Sequence, residues 1–264
     1  MKQAQKFTPA ALSLSVLTAV LAESIPQGIS ARWALAAGLL GAAALCALSV
    51  LAAAEEQERK LSLPAKTALT LGLFWELLQC IVQAQRVCVE EFSSMALLGF
   101  LPLLLWAGWS IHPGGWNAPA RVLWWFAAVG GVVCLLGLSG QMHWYRLLES
   151  ASAQTAASWR IPVYTEYFML PYLCERSAVR RMIILPLWSF VVQIGVLLGW
   201  ILVFGAGNYP QRELLRAWST GSFSRMDALL LLFWLLCVVY RIAVLCACIH
   251  LLWQQQLESG VQEI

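Results

Sequence analysis

Three charged residues lie inside strongly apolar stretches of this sequence, and their side chains are the ones best suited to chemistry there. Glu76 lies within residues 67–85, Glu166 within 161–172 and Arg241 within 228–257. If these stretches cross a membrane, each charge must face protein or a water-filled cavity, because an ionisable group in hydrocarbon is costly. Arg241 lies too far from either end of its stretch to reach water easily. We therefore expect it to pair with Glu76 or Glu166, or to attract the carboxylate of a substrate.

The stretch around Glu166 is short and is bracketed by Pro162 and Pro171. Each proline leaves a backbone carbonyl without its helical partner, and free carbonyls and half-helix ends can bind a cation, a carboxylate or an ammonium group. The alternative is an amphipathic turn at the membrane surface. The polar side chains available for contacts are Tyr164, Thr165, Glu166 and Tyr167.

Polar residues also follow a helical stripe around Glu76. Gln79, Gln83 and Arg86 follow Glu76 at helical spacing, and an apolar stripe lies opposite, formed by Leu73, Leu77, Cys80, Ile81 and Ala84. The polar stripe should face protein or water, as a ligand or proton site or as a clasp between helices, while Arg86 can reach the membrane surface. The predicted substrate-binding set is Glu76, Gln79, Gln83, Tyr164, Thr165, Glu166, Tyr167, Tyr240 and Arg241.

Other kinds of site find little support in the sequence. It contains no nucleotide-binding loop, no metal-ligand spacing and no catalytic-triad order, so we expect no enzyme activity, no metal and no cofactor. The net charge is only +3, which does not suggest nucleic acid as a partner. The eight cysteines are best interpreted as small apolar packing residues.

The composition places these residues in a membrane protein. The chain has 264 residues, is 60% hydrophobic and only 12% charged, whereas a soluble domain is about 25% charged. Long charge-free runs predict about eight spanning helices in one polytopic domain, residues 1–264, with both termini in the cytoplasm. The predicted spans are 7–27, 33–54, 65–86, 95–111, 122–143, 161–174, 182–205 and 227–253.

Several sequence elements occur in an order that resembles the spore germination permeases, the B subunits of germinant receptors. Arg86–Phe92 (RVCVEEF) is similar to the end of that family's third helix, and 117–121 (NAPAR) to the element after its fourth. The strongest similarity lies further along, in 160–172, 203–205 (VFG), Tyr209-Pro210 and 221–228 (GSFSRMDA) running into Phe233-Trp234. The resemblance covers most of residues 7–253.

The resemblance implies an all-α, inverted-repeat bundle of the amino acid–polyamine–organocation superfamily, with a broken sixth helix and a site lined by Glu76 and residues 164–167. The family usually has ten spans, so this chain resembles a shortened member with an incomplete second repeat. The implied ligand is a germinant such as an amino acid, and the implied partners are A-type and C-type receptor subunits. The implied location is the inner membrane of the endospore or the bacterial cell membrane.

Three functions remain open on the sequence. The first is a germinant-sensing, permease-like subunit that signals germination to its partners. The second is an amino acid transporter coupled to protons or cations through Glu76 or Glu166. The third is a membrane scaffold that binds no ligand, in which the buried polar residues only join helices.

Overall fold

The protein is almost entirely helical in the part that its computed structural model describes, which comprises residues 7–22, 41, 44, 48, 62–93, 95–146, 164–167, 185–204 and 226–261. The predicted all-α class is confirmed there, since these residues contain no strand. Two short 3-10 helices, Pro113–Trp116 and Ser139–Gln141, flank α4. The longer helices are α1 (Pro9–Ala22), α2 (Leu63–Phe92), α3 (Ala96–Ser110), α4 (Asn117–Leu138), α5 (Leu185–Phe204) and α6 (Met226–Val261).

Helix α1 is the shortest of the six and lies in the interior of the bundle, against α4, α5 and α6. Its side chains are apolar except for a few hydroxyls, and those hydroxyls bond to neighbouring helices or to the backbone of α1 itself. Ser13 Oγ accepts a hydrogen bond from Trp124 Nε1 of α4 at 2.9 Å. Thr18 Oγ1 donates to the carbonyl of Leu14 at 2.8 Å. The helix can therefore be buried without leaving these hydroxyls unsatisfied.

Helix α6 is another central element of the bundle, and α1 is one of its neighbours. It packs against α1, α2 and α3, and every residue from Tyr240 to Cys248 is buried. A helix that is apolar all round is expected where neighbours surround it. Arg241 is the one charged residue within this buried run, so the neighbouring helices must supply its partners.

The packing of α3 on α6 depends on a small residue. A Cβ atom on Gly108 would lie 2.7 Å from the carbonyl oxygen of Ala243 and 2.8 Å from Cys246 Cβ. Only glycine permits this approach, and small residues at helix contacts are typical of membrane bundles. Cys246 Sγ then donates to the carbonyl of Leu105 at 3.3 Å.

The helix ends agree with the predicted spans in part. Helix α3 matches 95–111 closely, but α2 continues to Phe92, where Ser93 in the left-handed conformation (φ 48°) ends it. Helix α4 begins at Asn117, earlier than predicted. Pro119 lies in its first turn, where a missing backbone N–H is tolerated. Helix α6 continues beyond 253 through polar residues that no apolar pattern could mark.

Three stretches of the described residues are long and apolar enough to cross a membrane: Leu63–Glu90, Pro113–Gln141 and Leu229–Gln254. Their outward faces carry large apolar side chains such as Leu71, Trp125 and Val129, which suit a lipid environment. The predicted count of eight spans remains a prediction. Span 33–54 lies outside the described residues apart from three positions, and 161–174 apart from residues 164–167.

Candidate functional site

The candidate site is a buried cluster of three charged side chains, Arg241 of α6, Glu76 of α2 and Glu166, which we call the Arg241 cluster. Arg241 Nη2 lies 2.9 Å from Glu76 Oε2 and 3.1 Å from Glu166 Oε1. The side chains of Arg241 and Glu166 are 4% and 0% exposed, and that of Glu76 is 13% exposed. The prediction that Arg241 pairs with a carboxylate is confirmed, and it pairs with both candidates rather than one.

Glu76 is held from a second side by the backbone of the short segment 164–167. The Thr165 N–H donates to Glu76 Oε1 at 2.5 Å. Residues Thr165–Tyr167 are helical and Tyr164 is not, so this N–H lies at the start of a helical turn, where backbone donors lack partners within the turn. A carboxylate is a favourable acceptor at such a position.

A glycine on α2 allows this segment to approach closely. A Cβ atom on Gly72, one turn before Glu76, would lie 2.8 Å from Thr165 Oγ1 and 3.5 Å from Thr165 Cβ. A larger residue at position 72 would press on the side chain of Thr165, the residue whose N–H donates to Glu76. Gly72 therefore makes room for Thr165, whose N–H donates to Glu76.

Aromatic rings cover the cluster on the side of the 164–167 segment. The Arg241 guanidinium carbon lies 5.6 Å from the centroid of the Tyr164 ring, within range of a cation–π contact. The Tyr167 ring meets the Tyr164 ring edge-on at 5.6 Å and is fully buried. Of the predicted set, Glu76, Tyr164, Thr165, Glu166 and Arg241 therefore contact one another directly, and Tyr167 supports them.

Ser15 of α1 completes the surroundings of the cluster, and sequence analysis missed it. Its carbonyl oxygen accepts a hydrogen bond from Arg241 Nη1 at 2.5 Å, and its hydroxyl donates to Glu166 Oε1 at 3.3 Å. A serine inside an apolar helix commonly bonds to its own backbone, so its presence alone indicates little. The only available signal was a set of hydroxyls, those of Ser13, Ser15 and Thr18, in an otherwise apolar helix.

The apolar stripe of α2, rather than the polar one, forms most of the face that packs against the bundle. The residues that face the bundle are Leu73, Leu77, Cys80, Ala84 and Cys88, most of which belong to the stripe assigned to the opposite side. Glu76 lies at the edge of this apolar face and reaches Arg241 from there.

The other polar residues of that stripe lie outside the cluster. Gln79 and Gln83 are half-buried, and no hydrogen bond of either amide occurs within the described ranges. Arg86 is exposed, and its contact with the membrane surface stays a prediction. These glutamines therefore stay predicted site residues without a described contact to the cluster.

Tyr240 was also expected at the site, but it points away from the cluster. Its hydroxyl donates to the carbonyl of Trp116 at 3.3 Å, and the two rings meet edge-on. Successive residues of a helix point about 100° apart. Tyr240 therefore faces the 3-10 helix before α4, while Arg241 faces α1 and α2.

The arrangement can bind charged groups of either sign. Arg241 offers the planar donors that recognise carboxylates, and two carboxyl groups are placed to accept from an ammonium group. No group of three side chains able to hold a metal ion occurs in the described part of the chain. Comparisons with protein-family models, curated proteins and solved structures give no match to this chain.

Proposed function

We propose that this protein is a permease-like membrane subunit that binds a small polar nutrient, such as an amino acid, at the Arg241 cluster. The observation that supports the proposal best is the cluster itself. Four segments that are distant in sequence, carrying Ser15, Glu76, Glu166 and Arg241, converge on it. Charges at membrane depth are rare and are commonly retained at substrate or ion pathways.

The charges of the cluster match those of an amino acid. A substrate carboxylate would take the place of Glu76 or Glu166 on Arg241, whose fork of donors suits carboxylates. The substrate ammonium group would then bind the displaced carboxylate. Binding by this exchange would break an existing ion pair and loosen the hold of α6 on α2, which gives ligand binding a way to move helices.

The sensing role of the proposal draws its support from the sequence. The ordered resemblance to germinant-receptor B subunits, strongest over residues 160–240, favours a receptor subunit that signals germination with A-type and C-type partners. The location that fits this role is the inner membrane of the endospore or the bacterial cell membrane. Movement of α6 relative to α2 is the proposed change that the partner subunits would detect.

A specific observation favours a second candidate, a scaffold that binds no ligand. Within the described ranges, the polar contacts of Arg241 join α6 to other segments, and Glu166 is wholly buried. In that case the cluster acts as a clasp between helices. The two candidates differ in whether any compound changes the stability of the folded protein.

The deciding experiment measures thermal unfolding of the full-length protein, purified in detergent, with a panel of amino acids, nucleosides and sugars. A nutrient-binding subunit is stabilised by at least one compound, because ligands that bind only the folded state raise the unfolding temperature. Glu76→Gln and Glu166→Gln should abolish that stabilisation in protein that still folds. Glu90→Gln, at the exposed end of α2, is the matched control for Glu76→Gln and should keep the stabilisation by ligand. Folded protein that no compound stabilises would favour the scaffold.

A further inference from the structure

The charges of the Arg241 cluster do not balance if every group is ionised. One guanidinium faces two carboxylates, which leaves a net charge of −1 in the interior of the bundle. Within the described ranges, Arg241 is the only Lys or Arg side chain that pairs with Glu76 or Glu166. An uncompensated charge in such a place is costly, and the cost is avoided if the site takes up one positive charge.

The hydrogen bonds of the two carboxyl groups show where that charge is missing. Both oxygens of Glu76 have donors, the Thr165 N–H and Arg241 Nη2. Glu166 Oε1 accepts from Ser15 and lies 3.1 Å from Arg241 Nη2. Glu166 Oε2 is buried and has no hydrogen-bond partner in the described part of the chain. A buried carboxylate oxygen without a donor is rare in folded proteins.

The two carboxyl groups are also neighbours. Glu76 Oε2 and Glu166 Oε1 lie 2.9 and 3.1 Å from the same Arg241 nitrogen, so one guanidinium N–H group brings the two carboxyl groups together. Two carboxylates cannot hydrogen-bond unless a proton lies between them, because an ionised carboxylate can only accept. Close carboxyl pairs elsewhere share one proton for this reason.

We propose that Glu76 and Glu166 bind a single proton between them, so that the Arg241 cluster is neutral in the folded protein. The proton resides on one of the two carboxyl groups and neutralises the negative charge that Arg241 leaves unbalanced; on Glu166 Oε2 it would also turn the buried oxygen without a donor into a donor itself. The cluster is then a proton-binding site at the centre of the bundle. This inference does not depend on nutrient binding, since it applies equally to a scaffold.

Among the residues that the structure describes, the other groups around the pair offer no competing charge. Helix α2 also presents the thiol of Cys80, and the 164–167 segment presents the Tyr164 ring. Helix α1 presents only the hydroxyl and carbonyl of Ser15, and α6 presents Arg241. Arg241 remains charged under ordinary conditions. The proton is therefore assigned to the carboxyl pair.

Infrared spectroscopy on the full-length protein in lipid vesicles tests the proposal. At neutral pH, in choline buffer, the protein should show the carbonyl stretch of one protonated carboxyl group, shifted by exchange into D2O. Glu76→Gln and Glu166→Gln should each remove the band, because one carboxylate and Arg241 are neutral without a proton. Glu90→Gln, at the exposed end of α2, should retain it. A band that survives both cluster substitutions, or no band in the wild-type protein, would overturn the proposal.

Two further measurements keep the test decisive. If a glutamine variant fails to fold, the wild-type protein is labelled with 13C at the glutamate side-chain carboxyls. The band should then move to a different frequency, and an unshifted band would refute its assignment to a glutamate. The spectrum is also recorded in sodium and potassium buffers. Loss of the band in either buffer would mean that a metal cation, rather than a proton, is bound by the same oxygens. Because no nutrient is present in these samples, the result is independent of the thermal-unfolding experiment.

Discussion

Removal of the Arg241 guanidinium should destabilise the protein far more than removal of an exposed arginine. Arg241→Leu leaves Glu76 and Glu166 buried without their cation. The substitution breaks two ion pairs, at 2.9 and 3.1 Å, and the hydrogen bond to the Ser15 carbonyl at 2.5 Å. Arg86→Leu is the matched control, because Arg86 lies on the exposed side of α2.

The magnitude follows from the burial of these partners. Hydrogen bonds to charged groups contribute about 1.5–3 kcal/mol each, and removing one partner of a buried ion pair costs about 3–5 kcal/mol. Protonation of the stranded carboxyl groups limits the loss, so we expect about 3–5 kcal/mol rather than the sum of all three contacts. An exposed substitution such as Arg86→Leu should change stability by no more than about 0.5 kcal/mol.

The assay is equilibrium unfolding in mixed micelles of increasing SDS content, followed by helicity and tryptophan fluorescence. Arg241→Leu should lower the midpoint strongly. The triple variant Arg241→Leu, Glu76→Gln and Glu166→Gln should recover part of the loss, since no buried charge remains and glutamine can still accept from the Thr165 N–H. Equal midpoints for Arg241→Leu and Arg86→Leu would refute the reasoning. So would a triple variant less stable than Arg241→Leu.

Further predictions concern the residues around the cluster. Gly108→Ala should lower the free energy of unfolding by about 1–3 kcal/mol through overpacking, whereas Gly99→Ala on the same helix has open space around it and should be neutral or stabilising in the same SDS titration. Tyr240→Phe should cost about 1 kcal/mol through its bond to Trp116, yet leave any ligand stabilisation intact. Ser15→Ala should cost about 1–2 kcal/mol in that titration. These expectations would be contradicted if Gly99→Ala destabilised the protein more than Gly108→Ala. They would also be contradicted if Tyr240→Phe lost the stabilisation by ligand.

The pairing of Arg241 was predictable because a charge in the middle of an apolar run needs a partner, and few carboxylates lie at comparable depth. The backbone acceptor of Arg241 was not predictable, since nothing in the sequence distinguishes the carbonyl of Ser15 from any other carbonyl. Tyr240 was assigned to the site because it precedes Arg241. On a helix, however, sequence neighbours face different directions, whereas residues three or four positions apart share a face.

Hydrophobic periodicity alone does not predict which face of α2 packs against the bundle. In a soluble helix the apolar stripe marks the core. In a membrane the lipid is as apolar as the core, so hydrophobic periodicity does not separate the two faces. The better signal is residue size, because small residues such as Gly72, Cys80 and Ala84 mark the face that packs against neighbouring helices.

A disulfide crosslink tests most directly the central claim that the segment around Glu166 packs against α2 beside Glu76. The Cβ position of Gly72 lies 3.5 Å from Thr165 Cβ, a separation that suits a disulfide. Gly72→Cys with Thr165→Cys, in a chain whose eight native cysteines are replaced, should crosslink on mild oxidation. Cleavage at a protease site inserted between the two positions then leaves the fragments joined until reductant is added. Gly99→Cys with Thr165→Cys should not crosslink, because Gly99 has no neighbour within 4 Å. Crosslinking of the Gly72 pair no greater than that of the Gly99 pair would contradict the account.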